Sequence, residues 1–321
     1  MPQTAGRNIR VQYCPDCYIC GSKGDILYQG LEDWLFGVAG KWDFKRCPNL
    51  ECGLVWLDPR PCKDDLWKAY DEYYTHGEDV RKQSLQQRIY SSCKGVFMRR
   101  DYKKLKHLWS HRKVPGKLLE VGCGSGDRLV WMRKAGWEVE GQEVDPKAAE
   151  NARGTHGITV HLGELEKLDL AEGSYDVIIM THVIEHVYQP VALLEECRRL
   201  LKPSGELVVV TPNVKSCGHK YFSSCWRGLE LPRHLHIFSP GTLSALAFKA
   251  GFEEYKSWTT PVNTFVMAAA SFEIRCTGKR LHGKRYSMFT LARALFFYIY
   301  AALIFLVQKD SGEECILRAK K

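Results

Sequence analysis

The side chains that could move a proton or hold a metal are concentrated in two short stretches. Thr181-His182-Val-Ile-Glu185-His186 carries an H-x-x-E-H spacing. On one helix that spacing would put two imidazoles on a common face beside a carboxylate, the arrangement of an inverted zinc peptidase. A neutral imidazole also suits the removal of a proton from a hydroxyl nucleophile near pH 7. His182 and His186 are therefore candidate bases, the alternative being histidines hydrogen-bonded into a cleft wall. A second pair, His234 and His236, lies in WRGLELPRHLHIFSPGTL, residues 226–243. Alternation along an extended run lets one of the two face a cleft. We favour His234 as candidate catalytic residue, with Arg233 as a contact for an anionic substrate; otherwise Pro232 and Pro240 simply shape a loop. A peptidase needs a third metal ligand, and none is marked downstream of His186.

Four thiols form a separate group. Cys17-Tyr-Ile-Cys20-Gly and Cys47-Pro-Asn-Leu-Glu-Cys52-Gly make two knuckles around a segment of aromatic and glycine residues. Tetrahedral zinc takes four thiolates, and short knuckles supply them at little ordering cost. Cys17, Cys20, Cys47 and Cys52 are thus the expected ligands of a closed, structural Zn2+. Cys14 is an alternative to Cys17 or Cys20, and free thiols are the competing reading.

Positioning these residues requires a frame, and the sequence supplies one. From Lys117 onward, apolar strand-like runs (KLLEVG, EVEGQEV, ITVHL, DVIIM, GELVVVTP) alternate with helical patterns around residues 127–133, 146–153 and 191–201. Short apolar strands separated by helices imply a parallel, doubly wound α/β sheet. Ligands of such sheets bind at the carboxyl ends of the strands. The first strand runs into Glu120-Val-Gly122-Cys123-Gly124-Ser-Gly126-Asp127. Glycines there let backbone approach a ligand without a Cβ clash. The spacing is G-x-G-x-G, lacking the third glycine of the dinucleotide fingerprint.

On these residues, the region from about Lys117 to Phe252 resembles the class I S-adenosylmethionine-dependent methyltransferases. The resemblance implies a Rossmann-like, mostly parallel sheet of seven strands, with GEECILRAK similar to the family's last, antiparallel strand. It implies S-adenosyl-L-methionine as cofactor, held around Glu120, Gly122, Cys123, Gly124 and Gly126. Glu143 falls where the family holds the ribose hydroxyls, with Val144 next to it and Asp145 as its competitor. Glu164 and Leu165 fall on the adenine side, and Thr181 and His182 border the site, where HVIEHV is similar to the family's HVxEHV segments. WRGLELPRHLHIFSPGTL resembles a substrate-side segment of methyltransferases related to the ubiquinone-biosynthesis enzymes. RCPNLECGLVWLDPRP and the stretch from Tyr70 to His76 are similar to cysteine modules that accompany methyltransferases of bacterial polysaccharide and natural-product pathways. Tyr70, Tyr73 and Tyr74 would then cover the cofactor, or simply pack.

The chain has 321 residues and is 45% hydrophobic, which excludes a disordered protein and allows one large domain with a small module. The organisation expected is a zinc-ribbon-like module over 1–60, a helical connector over 61–115 and a methyltransferase domain over 116–321. MPQTAGRNIR has no apolar core of a secretory signal, so a cytoplasmic location is expected. Thirteen cysteines should there be thiols or metal ligands. A net charge of +9 permits attraction to anionic lipid or nucleic acid, but no nucleic-acid motif accompanies it and no such partner is expected.

Residues 262–308 form an insertion in this plan. Arg275, Lys279, Arg280, Lys284 and Arg285 precede ALFFYIYAALIFLV, residues 294–307. Fourteen apolar residues fall short of the ~20 that cross a bilayer. An interfacial or re-entrant helix with a basic collar fits, and would place the protein at the inner face of the membrane; a buried or dimer-forming helix is the alternative. The expected function is methyl transfer, to oxygen first, on a sugar, a polysaccharide precursor or a lipid-linked small molecule. The competing readings are a nucleotide-dependent oxidoreductase and a noncatalytic S-adenosylmethionine-binding scaffold.

Overall fold

A computed structural model describes residues 9–70, 115–278 and 286–321. Tyr73, Tyr74, most of the connector, and Lys279, Arg280, Lys284 and Arg285 lie outside the described residues. The amino-terminal part contains β1 (Val11–Gln12), β2 (Asp25–Leu31), β3 (Trp42–Arg46), β4 (Val55–Leu57), β5 (Arg60–Pro61) and a 3₁₀ helix at Lys63–Tyr70. The alternating unit follows as β6 (Lys117–Val121), α1 (Asp127–Lys134), β7 (Glu138–Glu143), α2 (Pro146–His156), β8 (Thr159–Leu162), β9 (Tyr175–Thr181), α3 (Pro190–Leu200) and β10 (Leu201–Pro212). The chain then runs through α4 (Cys217–Phe222), β11 (His236–Ile237), α5 (Pro240–Lys249), β12 (Glu254–Thr260), α6 (Thr264–Thr277), α7 (Met288–Val307) and β13 (Glu314–Lys320).

Seven strands form one sheet in the order β12-β13-β10-β9-β6-β7-β8. The pairs from β10 through β8 are parallel, and β13 enters antiparallel between β10 and β12. This is the Rossmann-like methyltransferase fold. Central strands of such a sheet are covered on both faces, so their apolar runs do not alternate. β9 is the example: Val177, Ile178, Ile179 and Met180 are all fully buried. α3 buries Leu193, Leu194, Cys197 and Leu200, a three-to-four spacing that puts one stripe on the sheet. α2 starts where Asp145 accepts a hydrogen bond from Lys147 N and Pro146 presets the first turn.

The cysteine-bearing segment completes its own sheet with a strand from the larger domain. The order is β11-β4-β3-β2, with His236 opposite Trp56 and Ile237 opposite Val55. Trp42, Phe44, Val55 and Leu57 pack in one cluster with Phe222, Trp226, Leu235 and Phe265. A boundary near residue 60 therefore divides the sequence but not the hydrophobic core.

The insertion is a helical hairpin of α6 and α7. α7 is longer than the apolar run suggested: Ser287 caps it by accepting from Thr290 N, and it runs twenty residues to Val307 with Arg293 as its one charge. Length and composition would let it cross a membrane, the one such helix among the described residues.

Candidate functional site

The site is assembled where β6, β7 and β9 end. After Val121 the backbone turns through Gly122, Gly124 and Gly126, all with φ between 53° and 78°. That left-handed region costs an L side chain ~1–2 kcal/mol. A Cβ on Gly122 would also collide with Val183, whereas Gly124 opens onto empty space. Glu143 fixes the turn from the adjoining strand: one carboxylate oxygen accepts from Gly124 N at 2.8 Å, the other from Val144 N at 2.8 Å and Asp145 N at 3.0 Å. A carboxylate has about four acceptor positions, so one remains for a ligand hydroxyl. Val144 leaves 60% of its surface uncovered beside this turn.

Two buried oxygens next to the turn have no hydrogen-bond partner among the described residues. One is Oε2 of Glu120, whose other oxygen pairs with Arg128; the second is Oγ1 of Thr181. Burial raises the Glu120 carboxyl, and Arg128 opposes that rise. Orphaned oxygens, an open glycine backbone and a carboxylate with spare capacity match a ligand carrying hydroxyls and an ammonium group. The residues present thus fit S-adenosylmethionine. Glu164 accepts from Lys63 at 2.8 Å and lies 3.3 Å from Lys167, and Leu165 is buried in the core.

His182 follows β9 with φ of 54°, its N–H donating to Val210 O at 2.9 Å. The H-x-x-E-H residues lie on a strand end and a 3₁₀ turn at Ile184–His186, not on one helix. The peptidase geometry is absent. Both nitrogens of His182 face carboxylates, Nδ1 at 3.2 Å from Glu185 and Nε2 at 3.0 Å from Glu314. Thr211 donates to the second oxygen of Glu185, and Asn263 donates to Glu314. Burial opposes a charge on His182, but the two carboxylates outweigh it and lift the imidazole to about 10. Burial likewise works against the Glu185 carboxylate, and the bond from His182 overrides it, down to about 2. With a carboxylate at each ring nitrogen, the surroundings of His182 favour the protonated imidazole.

His186 is placed differently. Its Nδ1 lies 3.1 Å from Arg233 O and 3.0 Å from Tyr70 Oη. A carbonyl can only accept, so the contact with Arg233 uses a proton on Nδ1, and Nε2 is the ring nitrogen that these two contacts leave unused. The His234 ring stands edge-on at 4.7 Å, and its Nδ1 donates to Gly228 O at 2.7 Å. Burial pushes His234 down to about 4, leaving it neutral. Glu185, His186 and His234 bring ligand atoms within 4.8 Å of one another, though Glu185 already accepts from His182 and Thr211. His236 turns the other way, against Tyr18 and Phe238.

Arg233 is engaged inside the protein. It is fully buried, 3.1 Å from both oxygens of Asp33, bonded to Ala69 O, and laid over the Phe36 ring. Its work is to tie the amino-terminal segment to the site. Backbone bonds do the same: Leu57 N donates to Leu235 O, and Leu235 N donates to Glu185 O.

The four expected thiols meet. Cys17 Sγ is 3.6 Å from Cys52 Sγ, Cys20 Sγ is 3.3 Å from Cys47 Sγ, and all four lie within 4.8 Å of one another. Tetrahedral zinc with bonds of about 2.3 Å would space its sulfurs at ~3.8 Å, so modest adjustment suffices. Cys14 is outside this group, its N–H bonded to Asp58.

Sequence reasoning missed Arg128, Thr211, Asn263 and Glu314. Glu314 alone left a signal, as part of the GEECILRAK stretch expected to form the last, antiparallel strand.

A family model described as "Methyltransferase domain" matches residues 96–256. The chain belongs to this methyltransferase family. It is 34% identical over 148 residues to a ubiquinone biosynthesis O-methyltransferase of Cereibacter sphaeroides, covering 43% of this chain and 60% of that relative. It is 30% identical over 161 residues to the Paraburkholderia phymatum protein of the same name, covering 46% of this chain and 69% of that one. Among solved structures, phosphoethanolamine N-methyltransferase 2 of Haemonchus contortus shares the fold with a TM-score of 0.50 at 15% identity, over 92% of this chain and 71% of that one. The chain thus spans about 60% of the length of the first of these curated relatives.

Proposed function

We propose that the protein transfers a methyl group from S-adenosylmethionine to an oxygen of a small acceptor, a sugar, a polysaccharide precursor or a lipid-linked molecule. The observation that carries this reading is the left-handed glycine turn pinned by Glu143 beside two unpartnered buried oxygens. When bound, the cofactor supplies a methyl on a cationic sulfur. Glu143 would hold its ribose, Gly122, Cys123, Gly124 and Gly126 its amino-acid portion, Val144 its adenine edge, and Glu120 and Thr181 the remaining polar atoms. The methyl it supplies would go to the acceptor oxygen by in-line displacement at the sulfur, and His186 Nε2 would take the hydroxyl proton. His234 would support His186 as a neutral neighbour. Orientation of the two reactants accounts for much of such an acceleration.

The O-methyltransferase names of the relatives favour oxygen over nitrogen or carbon. A dinucleotide-dependent oxidoreductase is disfavoured by the G-x-G-x-G spacing. The thiol cluster is read as a structural zinc site, closed by four ligands. A cytoplasmic protein peripherally bound to a membrane would meet lipid-linked acceptors directly.

Calorimetric titration with S-adenosylmethionine, S-adenosylhomocysteine and NAD tests the central claim. The first two should bind to the native protein and not to Glu143→Ala. Binding of NAD alone would overturn the reading, as would adenosyl binding without labelled-methyl transfer to any hydroxylated acceptor.

A further inference from the structure

α7 is apolar on two sides. Toward the body it presents Leu291, Ala294, Phe297 and Ala301, which are buried in the cluster shared with α6. Away from the body, Phe289, Phe296, Ile299, Leu303, Leu306 and Val307 are exposed, Phe296 to 73% and Val307 to 86%. Their spacing of three, four and seven residues sets them in one stripe along a helix about 30 Å long. An uncovered stripe of that extent marks a surface that meets an apolar partner.

We propose that this partner is an anionic lipid leaflet, with α7 lying in the plane of the headgroup boundary and its exposed stripe among the upper acyl chains. Charge selects the partner. From Arg275 through Lys309 the sequence contains no Asp or Glu, and it carries Arg275, Lys279, Arg280, Lys284, Arg285, Arg293 and Lys309. Arg293 lies over the Phe272 and Phe289 rings and Lys309 over Phe305, so cationic heads stand beside apolar surface on the same hairpin. Aromatic and aliphatic stripes edged by cations are what an anionic interface binds. A second copy of the chain would bring this cationic collar against itself.

Topology sets the orientation. β12 enters the hairpin and β13 leaves it in register, with Thr260 opposite Glu314 in the same sheet. Asn263, at the start of α6, bonds Glu314 at 2.6 Å. Both ends of the hairpin are thus fastened at the carboxyl edge of the sheet, the edge that bears His182 and the glycine turn. α7 can lie on a membrane from there, whereas crossing one would strip its inner face from α6. The docking surface stands on this geometry alone; its use in presenting an amphiphilic acceptor rests on the methyl-transfer reading.

Flotation of the full-length protein with phosphatidylcholine vesicles, with and without phosphatidylglycerol, tests the proposal. The protein should float with the anionic vesicles, and added salt should reduce the bound fraction. A Phe296→Glu/Leu303→Glu variant should lose flotation while keeping its thermal transition and its S-adenosylmethionine binding. Arg293→Glu/Lys309→Glu, which leaves the stripe intact, should weaken flotation and provides the reading if the first variant does not fold. A Phe296→Trp variant should be quenched by brominated acyl chains. Protein that remains at the bottom with both vesicle types overturns the proposal. So does a native dimer that Phe296→Glu/Leu303→Glu splits without any lipid binding, or wild-type protein that resists alkaline extraction as a spanning helix does. Flotation needs no turnover and cofactor calorimetry needs no lipid, so failure of docking and failure of the methyltransferase reading are separately visible.

Discussion

His182 and His186 are four residues apart and have different surroundings. Two carboxylates face the ring nitrogens of the first and favour its charged form, while the second meets the Arg233 carbonyl and the Tyr70 hydroxyl through Nδ1. The folded His182 sits above its ordinary 6.5, at about 10. Its ion pairing therefore contributes fully below about pH 6.5 and is lost as the pH rises through about 10. For Glu185, held down to about 2 from 4.5, the contribution is present above 4.5 and lost as the pH falls through about 2. The ring resonances of His182, followed by NMR, should thus show no titration across neutral pH, and Glu314→Gln should bring its midpoint back toward the ordinary imidazole range. For His186→Gln we expect turnover to fall by ~10²–10⁴-fold with cofactor affinity unchanged in calorimetry. The sequence marked both histidines and could not rank them. The residue that separates them, Glu314, lies across the whole second half of the domain and reaches His182 only through the return of β13.

At the scale of single elements, the glycine turn is the sharpest case. Gly124→Ala meets no atom, so its cost is the left-handed backbone, ~1–2 kcal/mol. A modest loss of melting temperature with a larger loss of S-adenosylmethionine affinity is expected, since the new methyl enters the open space that the turn faces. This turn was legible because its signal is local: strand, glycines and helix lie within a dozen consecutive residues. The four thiols were legible for the same reason. Arg233 misled because a basic residue beside a histidine pair looks the same in sequence whether it meets a ligand or a buried Asp33 from two hundred residues earlier. α7 was read short because Ser287 and Thr290 build a cap ahead of the unbroken apolar run, and caps are weaker signals than hydrophobicity.

On the scale of the molecule, the amino-terminal segment and the methyltransferase domain share one core and one sheet seam. Removing one partner of a fully buried ion pair costs up to ~3–5 kcal/mol, and for Arg233 the Glu230 carboxylate at 3.4 Å would offset part of it. Asp33→Ala should therefore lower the melting temperature of the entire chain in calorimetry rather than add a separate early transition. A chelator that removes the proposed zinc should act in the same way, since the knuckles adjoin β3 and β4, and β4 leads through Leu235 to Glu185. The two residues of β11 carry a consequence for how such a protein can be rebuilt. A cysteine module that borrows its edge strand from its host cannot be transplanted as a cassette. A chimaera joining residues 9–70 to another methyltransferase would need the host's 226–243 loop rewritten at the same time.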